Sequence, residues 1–174
     1  MVSVDYLIKR FGLEPLPGEG GYFAQTYKSS ESIPKSALPE RYDSARALGT
    51  AIYYLLTPDT FSALHRLPTD EIFHFYLGDP VTMLQLFADG KSRTVTLGQN
   101  IVEDQQLQLV VPRGTWQGSY LDYGGRYALL GTTMAPGFEF SDLELGDREG
   151  LIASYPERKK MIERLAVGCS ASGT

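Results

Sequence analysis

The chain contains 174 residues, of which 43% are hydrophobic and 21% are charged, a balance typical of a soluble globular protein with one core. Acidic residues outnumber lysines and arginines by 21 to 16, and the net charge of -5 argues against nucleic acid as a partner, because nucleic-acid binding depends on clustered basic side chains. No apolar run approaches the ~20 residues of a membrane-spanning helix, so we do not expect a membrane protein.

The N-terminal segment predicts a short helix, a loop and a strand. Ser3 suits the N-cap of a helix whose apolar residues recur at helical spacing, and Gly12 suits its end. A loop rich in proline and glycine then leads into a strand at Tyr22–Lys28, where aromatic and β-branched residues concentrate. Residues 31–48 are polar and interrupted twice by proline, and we expect a surface loop there.

The middle of the chain predicts an antiparallel sandwich or barrel. Between Thr50 and Met134, short apolar runs such as TAIYYLL, EIFHFYL and VTMLQLFA alternate with turn residues at regular spacing. The chain is therefore predicted to be all-β with short terminal helices. We expect a single domain over residues 1–174, with core strands at about residues 20–135.

The C-terminal segment, about residues 142–166, is predicted to be helical. Ser154 and Glu157, with Pro156 between them, form a capping-box pattern, and we expect a helix to begin there. The apolar stripe of this helix, which includes Ile162 and Leu165, should dock onto the barrel.

The cysteine content and the N-terminus predict a cytoplasmic protein. The one cysteine, Cys169, provides neither a disulfide framework nor a Cys-x-x-Cys metal site, which fits a reducing compartment. The N-terminus carries an acid at Asp5 and lacks the apolar core and cleavage pattern of a signal peptide.

The stretch SALHRLPTDEIFHFYLGDP contains both histidines of the chain, His65 and His74. His65 precedes a proline-containing turn and Glu71 follows it, which predicts a hairpin with both side chains on the same side. Strand alternation places His74 on the opposite face from Glu71 unless a bulge intervenes. Because a carboxylate beside an imidazole can tune a general base, His65 and Glu71 are the candidate catalytic residues.

Four further residues are candidates for ligand binding. Trp116 and Gln117 follow a Pro-x-Gly turn, where an indole and an amide could orient a polar ligand, and the alternative for Trp116 is a core position. Glu139 lies between two aromatic residues and points either into a pocket or outward to water. His74 joins them only if its strand turns it inward, and otherwise it is a hydrogen-bonded structural residue.

Several motifs, taken in their order along the chain, resemble those of a known protein family. The segment EIFHFYLG with a histidine upstream resembles the first motif of the cupin superfamily, and PRGTWQ resembles the second. With GGYFAQTY, TAIYYLL and APGFEFSDLELGDREGL, the set is similar to the cupin family DUF985, also called cupin type 5, over roughly residues 2–165. The resemblance implies a double-stranded β-helix, a jelly-roll barrel usually paired as a homodimer, and implies no established reaction.

The same resemblance bears on metal binding. The cupin pattern supplies three histidines and a glutamate. His65 and Glu71 match it, whereas Leu67 and Gln117 replace the other two histidines. One imidazole, one carboxylate and one amide are a poor set for Zn, Ni, Fe or Mn. No cofactor is therefore predicted, and the ligands of a divalent metal, if one binds, are His65, Glu71 and Gln117, with an inward His74 as the alternative addition.

Three functions stay open from the sequence. The first is a barrel that binds a small polar metabolite, sugar- or nucleotide-like, in a pocket lined by His65, Glu71, Trp116 and Gln117. The second is a metal-independent sugar epimerase or isomerase with His65 as base and a tyrosine, such as Tyr127, as acid. The third is a metal-dependent cupin enzyme. The expected partners are a small molecule and a second copy of the chain, since the aromatic strand Tyr22–Lys28 would otherwise expose an open edge.

Overall fold

The computed structural model describes residues 2–167, and Cys169 lies outside them. In chain order the elements are α1 (Val4–Phe11), β1 (Glu14–Pro15), β2 (Tyr22–Lys28), β3 (Ser32–Ile33), β4 (Arg46–Ala47), β5 (Thr50–Leu56), β6 (Phe61–Arg66), β7 (Glu71–Gly78), β8 (Val81–Leu86), β9 (Ser92–Leu97), β10 (Gln108–Val111), β11 (Trp116–Leu121), β12 (Ala128–Met134), β13 (Glu144–Leu145), α2 (Arg148–Ser154) and α3 (Lys159–Leu165).

Two antiparallel sheets form the walls of a jelly-roll barrel. One sheet has six strands in the order β1-β2-β5-β12-β7-β10, and the other has five in the order β13-β6-β11-β8-β9. β3 and β4 form a separate two-stranded sheet. The predicted all-β class with short helices is confirmed.

Apolar side chains fill the barrel and both of its outer faces. The interior cluster lies between the two sheets and includes Tyr54, Phe73 and Met83. α1 packs over the outer face of the six-stranded sheet, where Leu7 belongs to the same cluster as strand residues. α2 and α3 cover the outer face of the five-stranded sheet. Within residues 2–167, no helix is long and apolar enough to cross a membrane.

The first helix has the predicted ends. The Ser3 hydroxyl oxygen accepts a hydrogen bond of 3.2 Å from the Tyr6 amide, which satisfies one of the free N–H groups of the first turn. Gly12 ends the helix in the left-handed conformation, with φ of 62°. The prediction for α1 is confirmed.

The predicted C-terminal capping box is wrong. Ser154 is the last residue of α2, and its hydroxyl donates back to the Gly150 carbonyl at 2.9 Å. Asp147 caps this helix instead, by accepting from the Gly150 amide at 2.7 Å. Tyr155, which precedes Pro156, has a non-helical backbone and ends the helix, and its hydroxyl donates to the Phe87 carbonyl at 2.7 Å. Ile162 on α3 is fully buried, as the apolar stripe predicts.

The segment of residues 31–48 is more than the surface loop that we expected. It contains β3 and β4, and the side chain of Arg46 is buried. The Arg46 guanidinium donates to the buried Asp142 carboxylate, with a distance of 3.0 Å from Nε to Oδ2, and also bonds Asp43. Burial of a charge is tolerated when it is paired in this way. The ion pair therefore fixes the segment against the turn that precedes β13.

The predicted hairpin of His65 and Glu71 is also wrong, although both side chains face the interior. β6 pairs with β11 and β13, whereas β7 pairs with β12 and β10. Residues 67–70 thus cross from one sheet to the other. The Gly114 amide donates to the Leu67 carbonyl at 2.9 Å and holds this crossing. Because the sheets face each other, the two ends of the crossing still meet inside the barrel.

Replacement of Arg46 tests the anchoring of the loop. Arg46→Ala leaves the Asp142 carboxylate buried without its partner, so we expect a loss of about 3 to 5 kcal/mol in the free energy of unfolding. Urea denaturation measures this loss. Lys91→Ala is the matched control, since the Lys91–Asp89 pair is exposed, and it should leave stability unchanged. Equal losses in both variants would contradict the anchoring role.

Candidate functional site

Glu71 lies at the start of β7 with its side chain inside the barrel, where the residue is 7% exposed. The Gln117 amide, on β11 of the opposite sheet, donates from Nε2 to Glu71 Oε2 at 2.6 Å. This hydrogen bond therefore connects the two walls of the barrel. The structure brings together two of the residues that the sequence marks as candidates.

His65 is the third candidate in this interior site. It is 1% exposed and is the β-ladder partner of Gln117. Its Nδ1 lies 2.7 Å from the Ala63 carbonyl oxygen. A carbonyl oxygen only accepts hydrogen bonds, so Nδ1 carries a proton, and in the neutral tautomer the lone pair is on Nε2.

Glu19, which sequence reasoning missed, completes the polar interior. It comes from the loop before β2, and its Oε2 lies 3.9 Å from His65 Nε2. The Ser62 hydroxyl donates to Glu19 Oε1 at 2.8 Å. A register shift of β6 against β11 lets Ser62 and His65 face the same loop although they are three residues apart.

Backbone contacts hold the Glu19 loop against β6. The Ala63 amide donates to the Glu19 carbonyl at 2.7 Å, and the Tyr54 hydroxyl donates to the Gly20 carbonyl at 2.9 Å. Gly20 has a φ of 97°, and a Cβ there would collide with the Phe61 carbonyl oxygen. The run GEGG is the sequence signal that could have indicated this close approach.

The environment of Glu71 changes its ionisation. Burial, and secondly the nearby negative charge of Glu19, raise the pKa of Glu71 from 4.5 to about 7. His65 and hydrogen bonds from Thr132 and Gln117 oppose this shift. A carboxyl group with a pKa near neutrality can accept or donate a proton at physiological pH. Burial also raises the pKa of Tyr54 well above 10, so its hydroxyl stays neutral.

A small cavity of about 60 Å³ gives access to Glu71. Its ionisable lining residues are Glu19 and Glu71, and its outer wall includes Phe138 and Phe140. Phe140 is 55% exposed, which places it toward solvent. Pockets for drug-sized ligands measure roughly 300 to 1,000 Å³, so this cavity holds a few heavy atoms or the end group of a larger molecule.

Two buried polar atoms on β11 have no hydrogen-bond partner among residues 2–167. They are Gln117 Oε1 and Ser119 Oγ, in residues that are 2% and 0% exposed. Buried polar groups in folded proteins are almost always satisfied by protein or water. These atoms are therefore available to a water molecule or a ligand.

The other candidates lie elsewhere. Trp116 faces away from Gln117 and packs against the cluster under α2 and α3, with the Arg66 guanidinium 4.6 Å above its ring. Strand alternation causes this separation. Glu139 lies at the surface, where Lys28 Nζ bonds its Oε1 at 2.7 Å. Tyr127 is buried in the cluster under α1, so Tyr54 is the tyrosine near the carboxylates.

His74 lies on the outer face of the six-stranded sheet, as alternation predicts. Its Nε2 is 2.8 Å from Thr133 Oγ1, and its Nδ1 is 3.2 Å from Gln108 Nε2. Its ring stacks on Tyr76, with centroids 6.3 Å apart. The register shift between β7 and β12 falls beyond His74, so no bulge turns the imidazole inward.

The interior residues do not fit a divalent transition metal. Gln117 donates its amide N–H to Glu71 Oε2, so it occupies one oxygen of that carboxyl group and has only the neutral Oε1 to offer a cation. Leu67 contributes an apolar wall to the cavity. Within the described part of the chain, no three His, Cys, Asp or Glu side chains are grouped to hold a metal ion.

Known proteins resemble this chain in both sequence and fold. Residues 5–146 match the family described as "Cupin superfamily (DUF985)". The chain is 28% identical over 134 residues to the uncharacterized protein YML079W of Saccharomyces cerevisiae, a match spanning 71% of this chain and 66% of the yeast protein. Protein SO0799 from Shewanella oneidensis is 32% identical, with a TM-score of 0.85 over 97% of this chain and 99% of that chain.

A more distant likeness concerns the fold alone. Oxalate decarboxylase from Bacillus subtilis is 15% identical, with a TM-score of 0.52 over 91% of this chain and 38% of that chain. That enzyme has Mn(II) centres. The likeness supports the cupin type of jelly roll for this chain.

The raised pKa of Glu71 predicts a pH-dependent stability. Between pH 4.5 and 7 the folded state keeps a proton that the unfolded state releases, so this contribution is fully present below pH 4.5 and is lost as pH rises to about 7. We expect the wild type to lose about 3 kcal/mol of unfolding free energy relative to Glu71→Gln across this range. Urea denaturation at a series of pH values measures the difference, and parallel pH profiles for the two proteins would contradict it.

Proposed function

The chain belongs to the DUF985 family of the cupin superfamily, and from the geometry of its barrel interior we propose that it binds a small polar metabolite at Glu71. The observation that carries this proposal is a buried carboxyl group with a pKa of about 7 that lines a cavity. The unpartnered oxygens of Gln117 and Ser119 in the same interior support it.

The lining of the cavity favours hydroxyl groups over anions. Glu71 accepts a hydrogen bond when ionised and donates one when protonated, and its ionised form repels a negative charge. The phenylalanines at the outer wall offer apolar contact to C–H groups. The cavity volume of about 60 Å³ is too small for a whole sugar or nucleotide, so only part of such a ligand would fit. The proposed ligand is a small polyol, or a larger molecule that inserts one hydroxyl-bearing end.

A metal-independent isomerase or epimerase is the second candidate, because the pKa of Glu71 suits proton transfer. In this function Glu71, which lines the cavity, accepts a proton from a substrate carbon and returns it. His65 is then a positioning residue, because its ring is fixed by the Ala63 carbonyl. The expectation that His65 itself is the base is revised accordingly.

Assembly as a homodimer accompanies the proposal. β1 pairs with β2 only at Tyr22 and Phe23, so the remaining edge of β2 is open within the described residues. An open strand edge is commonly covered by another strand. We therefore expect sedimentation to give twice the mass of one 19.3 kDa chain at micromolar concentration. A mass equal to one chain would contradict this assembly.

A thermal-shift screen of neutral monosaccharides and polyols tests the binding proposal. A compound at about 100 times its Kd should stabilise the wild type by roughly 2.7 kcal/mol. We expect Glu71→Gln and His65→Ala to lose this shift. His74→Ala is the matched control, because it lies on the outer face. It should keep the shift while losing about 1 to 3 kcal/mol of stability with its hydrogen bonds. A full shift in Glu71→Gln, or its loss in His74→Ala, would contradict the proposed site.

Deuterium incorporation separates the two candidate functions. Each compound that binds is incubated in D2O and followed by proton NMR. An isomerase exchanges a carbon-bound proton of its substrate in the wild type and not in Glu71→Gln. A binding protein leaves every compound unexchanged, which would overturn the second candidate.

A further inference from the structure

A groove of about 500 Å³ lies on the other side of Leu67 from the interior cavity. Among residues 2–167, Leu67 is the one that lines both, and it is 6% exposed. Arg41, Arg66 and Arg113 also line the groove. This volume is in the range of small-molecule sites, whereas that of the interior cavity is not.

The carboxylates of the groove already have arginine partners. Asp142 and Asp43 bond Arg46, whose guanidinium holds the pKa of Asp43 at about 2. Glu144 forms a bidentate ion pair with Arg66, whose Nε and Nη2 lie 2.7 and 2.8 Å from the two carboxylate oxygens. Each of these acidic side chains is therefore already engaged by an arginine.

Arg41 and Arg113 each have hydrogen-bond donors that no atom of residues 2–167 engages. Arg41 Nε donates to the Pro68 carbonyl at 2.9 Å and its guanidinium lies 4.8 Å above the Tyr42 ring, which orients the group. Among residues 2–167, its two terminal nitrogens have no hydrogen-bond partner. The Arg113 backbone amide donates to Asp70 Oδ1 at 2.8 Å, and no hydrogen bond or ion pair within the same residues engages its exposed guanidinium. The groove therefore offers one oriented and one exposed guanidinium, without a large excess of positive charge.

We propose that this groove binds a small organic oxyanion, a carboxylate or a phosphate monoester, through the guanidinium groups of Arg41 and Arg113. A guanidinium donates two parallel hydrogen bonds to two oxygens of such a group, which a lysine cannot do. The stacking of Arg41 on Tyr42 reduces the entropy that this side chain loses on binding. The hydrogen bonds of residues 113–114 fix the backbone from which the Arg113 side chain extends. The site is distinct from the cavity at Glu71 and does not depend on the function proposed there.

Isothermal titration calorimetry at low ionic strength tests the groove, with inorganic phosphate and citrate as separate probes. Binding of phosphate alone indicates phosphate monoesters, and binding of citrate alone indicates carboxylates. We expect Arg41→Gln and Arg113→Gln each to weaken binding about ten-fold or more. Arg113→Lys should also weaken binding of the probe, because the positive charge remains but the bidentate hydrogen-bond geometry is lost.

Arg10→Gln is the matched control, since Arg10 is an exposed arginine on α1. It should bind both probes like the wild type, and all variants should keep the wild-type thermal unfolding because the replaced side chains are exposed. The proposal is overturned if neither probe binds at millimolar concentration, if Arg41→Gln and Arg113→Gln bind like the wild type, or if Arg10→Gln loses as much. If Arg113→Lys binds the probe as tightly as the wild type does, the claim that the guanidinium geometry recognises the oxyanion is wrong.

Discussion

The structure of the interior depends on keeping the carboxyl group of Glu71 away from water. A charged carboxylate is costly to bury unless it is paired, hydrogen-bonded or neutralised by a proton. In this barrel, Gln117 supplies a hydrogen bond from the opposite sheet, and the negative charge of Glu19 favours retention of the proton. Both walls of the barrel are therefore connected at a group that changes its charge near neutral pH.

The cavity and the groove differ in the charged side chains that line them. Glu19 and Glu71 are the ionisable residues at the cavity, whereas three arginines line the groove, so the two proposals assign hydroxyl groups to the first and oxyanions to the second. Leu67 separates the two, at the crossing where the chain passes from β6 to β7.

Strand periodicity explains what could be predicted from the sequence. Alternation along β7 correctly separates His74 from Glu71, and the capping residues of α1 are recognisable because they are local. Gly118 interrupts the apolar pattern of β11. In the structure a Cβ at Gly118 would lie 3.1 Å from the Leu64 side chain, so the glycine permits close packing there.

Contacts between distant segments explain what could not be predicted. Glu19 reaches the site through a loop that packs on Ala63, and Arg46 is buried because Asp142 meets it from residues nearly one hundred positions away. Sequence spacing also cannot show that β6 and β7 belong to different sheets, since the turn residues at 68–70 suit a hairpin equally well. These long-range pairings decide which polar residues share the interior.

Direct titration of the Glu71 carboxyl group tests the central claim most closely. Carbon-13 NMR of protein labelled at glutamate carboxyl carbons, with Glu71→Gln to assign the signal, gives the ionisation midpoint. The account predicts a midpoint near pH 7, lowered in Glu19→Gln because the neighbouring negative charge is removed. A midpoint near the usual 4.5, unchanged by Glu19→Gln, would contradict it.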